Sequence, residues 1–119
     1  MNIKTCSSVF GRDWYGTINF INVTINASVP GHAITTQLLF DAIRGGTTCN
    51  FTDCTININM DRTKQDIAMP LYSINTSHGS SIKMNLVNTV IKSTGTIGDI
   101  SSDVTLDANS KIIDKNGTK

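Results

Sequence analysis

Nucleophilic or acid–base chemistry in this 119-residue chain would have to come from two histidines, His32 and His78, three cysteines and the hydroxyls around them. A Ser, Cys or Thr nucleophile needs a histidine and an orienting carboxylate brought together by the fold. Neither histidine lies in a motif, and "SHGSS" around His78 has a composition that makes turns as readily as chemistry. There is no G-x-S-x-G, and Gly45-Gly46 lacks the Lys-Ser/Thr that would complete a phosphate cradle. Asp13, Asp41, Asp53, Asp61 and Asp66 supply carboxylates, but no spacing among them selects a pair. "CNFTDC" does not match a zinc knuckle. The expectation is a protein that is not an enzyme and carries neither metal nor cofactor.

Two other groups of residues suggest contact or cross-linking. Trp14 and Tyr15, beside Arg12 in "GRDWYG", have the composition of a sugar-stacking or protein-anchoring patch, although a core Trp at the start of a strand is the favoured reading. Cys6, Cys49 and Cys54 allow three single disulfides, each leaving one thiol over. Asn-Xaa-Ser/Thr occurs at Asn22, Asn26, Asn50, Asn75 and Asn116. These are glycan acceptors if the chain is an exported eukaryotic or viral domain, and chance triplets if it is simply rich in Asn, Ser and Thr.

Charged residues make up 16% and aromatics 6% of the chain, so neutral polar groups must cover the surface, a β-protein composition. Ten basic against nine acidic residues, without a cluster of either, make nucleic acid an unsuited partner. No apolar run reaches the roughly 18 residues of a membrane span, and "MNIKTCSSVF" has no apolar leader core, so export would require a leader already removed.

The length suits one domain. "YGTINFINVTINASV" (15–29) carries its apolar residues on one parity up to Phe20 and on the other from Ile21, which predicts a bulge or bend near Phe20–Ile21. "AITTQLLFDAIRGG" (33–46) is read as one short helix, with a strand having Ile34, Thr36, Leu38 and Phe40 on one face as the alternative. "CTININM" (54–60), "DIAMPLYSI" (66–74) and "IKMNLVNTVI" (82–91) alternate as strands with one face in the core. Short strands joined by polar turns predict an all-β antiparallel sandwich with at most one short helix.

"NVTINASVPG" (22–31) resembles the donor-strand segment of colonisation-factor fimbrial subunits, and "DVTLDANSKIIDK" (103–115) resembles the donor strands of chaperone–usher pilins. The resemblance implies an immunoglobulin-like sandwich that lacks one strand and is completed by an extended segment, a case of strand addition to a sheet edge. On this chain it implies a body over 1–91, a linker over 92–102, a donor strand over 103–113 and a flexible tail over 114–119. The inserted side chains would be Val104, Leu106, Ala108, Ser110 and Ile112. It further implies a secreted, non-enzymatic structural or adhesive subunit of a surface fimbria, with neighbouring subunits and a periplasmic chaperone as partners and a host glycan or protein as receptor. A carbohydrate-binding or toxin-like receptor-binding module, with Trp14 and Tyr15 in contact, and a viral or eukaryotic glycoprotein domain are the alternatives.

Overall fold

Alternating side chains make a strand with one dry face, and in this protein the dry faces of three sheets enclose a common interior. The computed structural model describes residues 1–4, 8–29 and 37–119. Sheet one runs β1 (Asn2–Lys4), β4 (Thr24–Val29), β7 (Thr55–Met60), β10 (Val90–Ser93), β12 (Lys111–Asp114) and β13 (Gly117–Thr118). Sheet two runs β3 (Thr17–Ile21), β6 (Thr48–Thr52), β9 (Lys83–Val87) and β11 (Val104–Leu106). Sheet three runs β2 (Gly11–Arg12), β5 (Phe40–Arg44) and β8 (Tyr72–Asn75). The chain visits sheets one, three and two in rotation, so each strand lies beside the one laid down a full coil earlier. The result is a three-sided solenoid.

The all-β reading holds, but the antiparallel immunoglobulin-like pairing does not. Among the described residues every strand pairing is parallel except that of β12 with β13. The reason is that a solenoid wall, like an antiparallel sheet, has one dry and one wet face, and the two give the same alternation. The helix expected over 33–46 is also corrected. Residues 33–36 lie outside the described residues, and Phe40–Arg44 is strand β5, with Phe40 and Ile43 fully buried. Regular 3₁₀ turns occur only at Arg62–Lys64 and Thr76–His78 among the described residues.

Register is kept through sheets one and two, and it shifts in sheet three between Phe40 and Ile43 of β5. Ile25, Ile56, Ile91 and Ile112 form one inward column. Phe20, Phe51 and Leu86 form a second, and Ile18, Cys49, Met84 and Val104 a third. Phe20 and Phe51 stack with centroids 4.8 Å apart and planes 7° from parallel, and Phe10 and Phe40 stack at 5.0 Å. The Phe20–Phe51 distance matches the 4.7–4.9 Å between neighbouring strands, so those rings stack without leaving the rungs that carry them.

Of the bulge or bend expected near Phe20–Ile21, the structure has the bend, at Asn22, as a corner between sheets two and one. Asn22 there has φ of 53°, and its equivalents Asp53 and Asn88 have 55° and 46°. Asn and Asp occupy this left-handed region more readily than other L-residues. The side chains stack too, with Asn88 Nδ2 donating to Asp53 Oδ1 at 2.8 Å. Each corner turns the chain from sheet two into sheet one and moves the apolar set to the other parity.

The last third closes the solenoid. After β10 the chain adds no strand to sheet three; Ile97 bridges to Met69, ahead of β8, and residues 98–103 then lead into β11. Ser93, Gly95 and Ile97 are buried, so 92–102 is part of the packed body rather than a free linker. Residues 103–113 are two strands in different sheets, separated by a turn in which Ser110 N donates to Asp107 O at 3.2 Å. β11 pairs with β9 and β12 with β10 of the same chain. Val104, Ser110 and Ile112 are buried, whereas Ala108 is exposed and Leu106 is 39% exposed, because the corner interrupts the alternation expected to carry them inward. Residues 114–119 form a hairpin where an unpaired tail was expected, with Lys119 N donating to Ile112 O at 2.8 Å.

Asp114 anchors that hairpin. Its buried carboxylate accepts from Ile97 N and Asn116 N, each at 2.8 Å, with Lys119 Nζ at 3.6 Å. Burial acts to raise its pKa, but the two backbone donors and Lys119 outweigh it, and the group is held below its ordinary value. A depressed folded pKa stabilises above the ordinary carboxyl range near ~4, and the contribution is lost as pH falls through the folded value. Asp114→Asn is therefore expected to cost stability at neutral pH and to flatten the decline on acidification, as read from urea midpoints across that range; an unchanged acid slope would contradict it. Phe51→Ala, which empties the centre of the ring stack, is expected to cost about 3–5 kcal/mol in the same unfolding measurement. A loss below ~1 kcal/mol would show that the stack is not a principal source of stability.

Candidate binding face

The outward positions of sheets one and two are lined with amides that continue the backbone ladder on the surface. In sheet two, Asn50 Nδ2 donates to Asn19 Oδ1 at 2.9 Å, Asn85 Nδ2 to Asn50 Oδ1 at 2.8 Å, and Thr105 Oγ1 to Asn85 Oδ1 at 2.7 Å. In sheet one, Asn57 Nδ2 donates to Asn26 Oδ1 at 3.0 Å and Asn26 Nδ2 to Asn2 Oδ1 at 3.3 Å. Each amide is oriented by its neighbour, so the array is ordered before anything binds. Over sheet one it becomes concave, a groove of about 390 Å³ whose polar lining is Asn26, Ser28, Asn57, Asn59, Lys92 and Thr94. Amides and hydroxyls both donate and accept, and Lys92 is the single charge in that lining. This chemistry suits a neutral ligand rich in hydroxyl groups.

The contact residues expected from sequence are placed apart. The Trp14 indole N–H donates to Phe10 O at 2.8 Å, and its ring packs on Phe10, Phe20 and Phe40, so Trp14 belongs to the aromatic interior. Tyr15 is 57% exposed and meets His78 edge-on at 5.2 Å. Arg12 is exposed, with Nε 3.5 Å from Asp41.

The surface neighbours of Tyr15 come from later coils. Arg44 Nη1 lies 3.3 Å from His78 Nε2, and Ser77 Oγ lies 3.3 Å from His78 Nδ1. A serine–histidine base would need a carboxylate on the far ring nitrogen, and a guanidinium stands there instead. Gly45 lets the His78 loop dock, since a Cβ on it would fall 1.9 Å from Gly79 O. This loop also absorbs a change in coil length. Arg44 pairs with Asn75, thirty-one residues on, but Thr48 beyond the corner pairs with Lys83, thirty-five residues on. Residues more than thirty apart in sequence give no local signal of such a cluster. The recurrence of "NFINVTINASV", "NFTDCTININM" and "NLVNTVIKSTG" at 19–29, 50–60 and 85–95 does reveal the coil period, and with it the amide ladder.

Of the acceptor triplets, Asn26 and Asn50 use their side-chain nitrogens in the ladders, Asn75 accepts from Ser77 N at 3.1 Å, and Asn22 and Asn116 are exposed. Among the described residues no cluster of His, Cys, Asp or Glu has the makings of a metal site, and no helix is long and apolar enough to cross a membrane. No family model, curated protein or solved structure matches the chain.

Cys6 lies outside the described residues. Cys49 and Cys54 are free, buried thiols, so the disulfide between them that the sequence allows is not formed. Cys54 Sγ donates to Phe20 O at 3.3 Å and Thr52 O at 3.2 Å. Burial first, and Cys54 second, push the Cys49 thiol up to about 12. The thiolate is the reactive form, so Cys49 is expected to resist a disulfide reagent in the folded protein at mildly alkaline pH and to react once urea unfolds it. Comparing Cys49→Ala with the parent by thiol counting isolates the residue, and rapid native labelling at Cys49 would overturn the assignment.

Proposed function

We propose that this chain is a non-enzymatic structural and adhesive module of a secreted or cell-surface assembly, and that it holds a carbohydrate on the outer face of sheet one. The observation carrying this reading is the pre-ordered groove of Asn26, Ser28, Asn57, Asn59, Lys92 and Thr94. Sugars are bound where hydroxyls meet fixed donors and acceptors, and the cost of ordering Asn26 and Asn57 is already met within the folded chain. The low charge content supports a partner that is neutral and polar.

Assembly with neighbouring subunits, as in the fimbrial resemblance, would use exposed strand edges. Exchange of the 103–113 segment in the pilin manner would have to separate β11 from β9 and β12 from β10. Sheet edges that need no such separation, including β3 of the first coil, are the more economical surfaces for contact.

Glycan-array binding tests the adhesive reading. The parent protein is expected to bind a restricted set of neutral oligosaccharides, and Asn57→Leu to lose roughly tenfold or more in affinity, the worth of one or two hydrogen bonds. Trp14→Phe, altered in the interior, is expected to retain binding. Absence of binding by a folded parent, or equal binding by Asn57→Leu, would overturn the proposal.

A further inference from the structure

The shortened fourth coil leaves a gap beside sheet three. β8 pairs with β5 on one side, and on the other no strand pairs with it among the described residues, because the chain passes from the Ile97 bridge to β11 without contributing one. Between β8 and the crossing segment lies a groove of about 310 Å³, lined by residues 70–74, 99–101, 103 and 104. Leu71, Ile74, Ile100 and Val104 make its apolar wall.

Three polar features converge there. Asp99 and Asp103 form no ion pair among the described residues, while the ion pairs present join Arg12 to Asp41, Lys115 to Asp66 and Lys119 to Asp114. The Tyr72 hydroxyl is buried and has no hydrogen-bond partner. The Ser101 hydroxyl is near enough to act on its titration, and its oxygen accepts from Asp103 N at 3.1 Å. Burial and, more weakly, the Asp103 carboxylate hold the phenol above its ordinary pKa, with Ser101 acting against them. The lining contains no basic residue.

We infer that this groove is a binding site for a small organic ammonium ion with a compact apolar body, its cation set against Asp103 and Asp99 and its body on Leu71, Ile74 and Val104. Volume decides between ligand sizes, since about 310 Å³ lies at the lower end of small-molecule clefts, where a compact ligand is the better fit than an extended peptide. Charge decides the class, because two unpaired carboxylates above an apolar wall favour a cation over a neutral or anionic guest. This site is separate from the amide groove of sheet one, so either can fail without the other.

The test is a titration of the full chain with benzylamine at neutral pH in phosphate buffer, followed by backbone amide shifts, with benzyl alcohol as the neutral control of similar shape. Saturable shifts are expected at residues 71–74 and 99–104. Benzyl alcohol is expected to bind about tenfold more weakly or worse, the worth of one charge-assisted hydrogen bond. Asp103→Asn should weaken benzylamine by a similar factor with the remaining spectrum unchanged, and Asp66→Asn, a carboxylate outside the groove, should not. No saturation, equal response to the alcohol, shifts mapping elsewhere, or full affinity in Asp103→Asn would each overturn the assignment.

Discussion

Stacking in register at one strand spacing governs this molecule. Each inward position sits under and over the equivalent position of the next coil, so a side chain is accepted only if its shape tolerates repetition at about 4.8 Å. Isoleucine columns and near-parallel phenylalanine rings satisfy that condition. The same condition acts on the outside, where amides repeat at a separation that lets each donate to the one before. Core and surface thus obey one geometric rule, and the corner residues Asn22, Asp53 and Asn88 obey it as well.

A stack of parallel strands has no inherent end, which makes termination a separate structural problem. Here it is met by tapering. The fourth coil omits its sheet-three strand, and the chain then reverses into the only antiparallel pair among the described residues. The buried Asp114 carboxylate fastens that reversal to the backbone at Ile97 and Asn116. Tapering also opens the groove beside β8, so the device that closes the core creates a recess beside sheet three.

Much of this was legible in the sequence. Alternation in "CTININM" identifies Cys54, Ile56, Ile58 and Met60 as interior, and they are buried. Alternation does not say which strand lies alongside, since a hairpin neighbour and a neighbour one coil away impose the same pattern. The information was in the longer recurrence of Asn-Phe/Leu strings, which calls for comparison at coil distance rather than within a window. "AITTQLLFDAIRGG" misleads for a different reason. Its described portion crosses a bend at Ala42, where φ is 55°, so Phe40 and Ile43 both point inward three residues apart, as they would on a helix. Sequence favours a core Trp14 over a surface one, and the aromatic interior claims it.

The loop that carries His78 shows where this architecture is free to vary. Four extra residues enter at that corner, yet Asn75 before it and Lys83 after it rejoin their ladders in step. Position along the axis is therefore set by the strands and is independent of the number of residues between them. Coils of thirty-one and thirty-five residues thus share one axis, and the four extra residues change what that edge of the solenoid displays while the rungs at Asn75 and Lys83 stay paired.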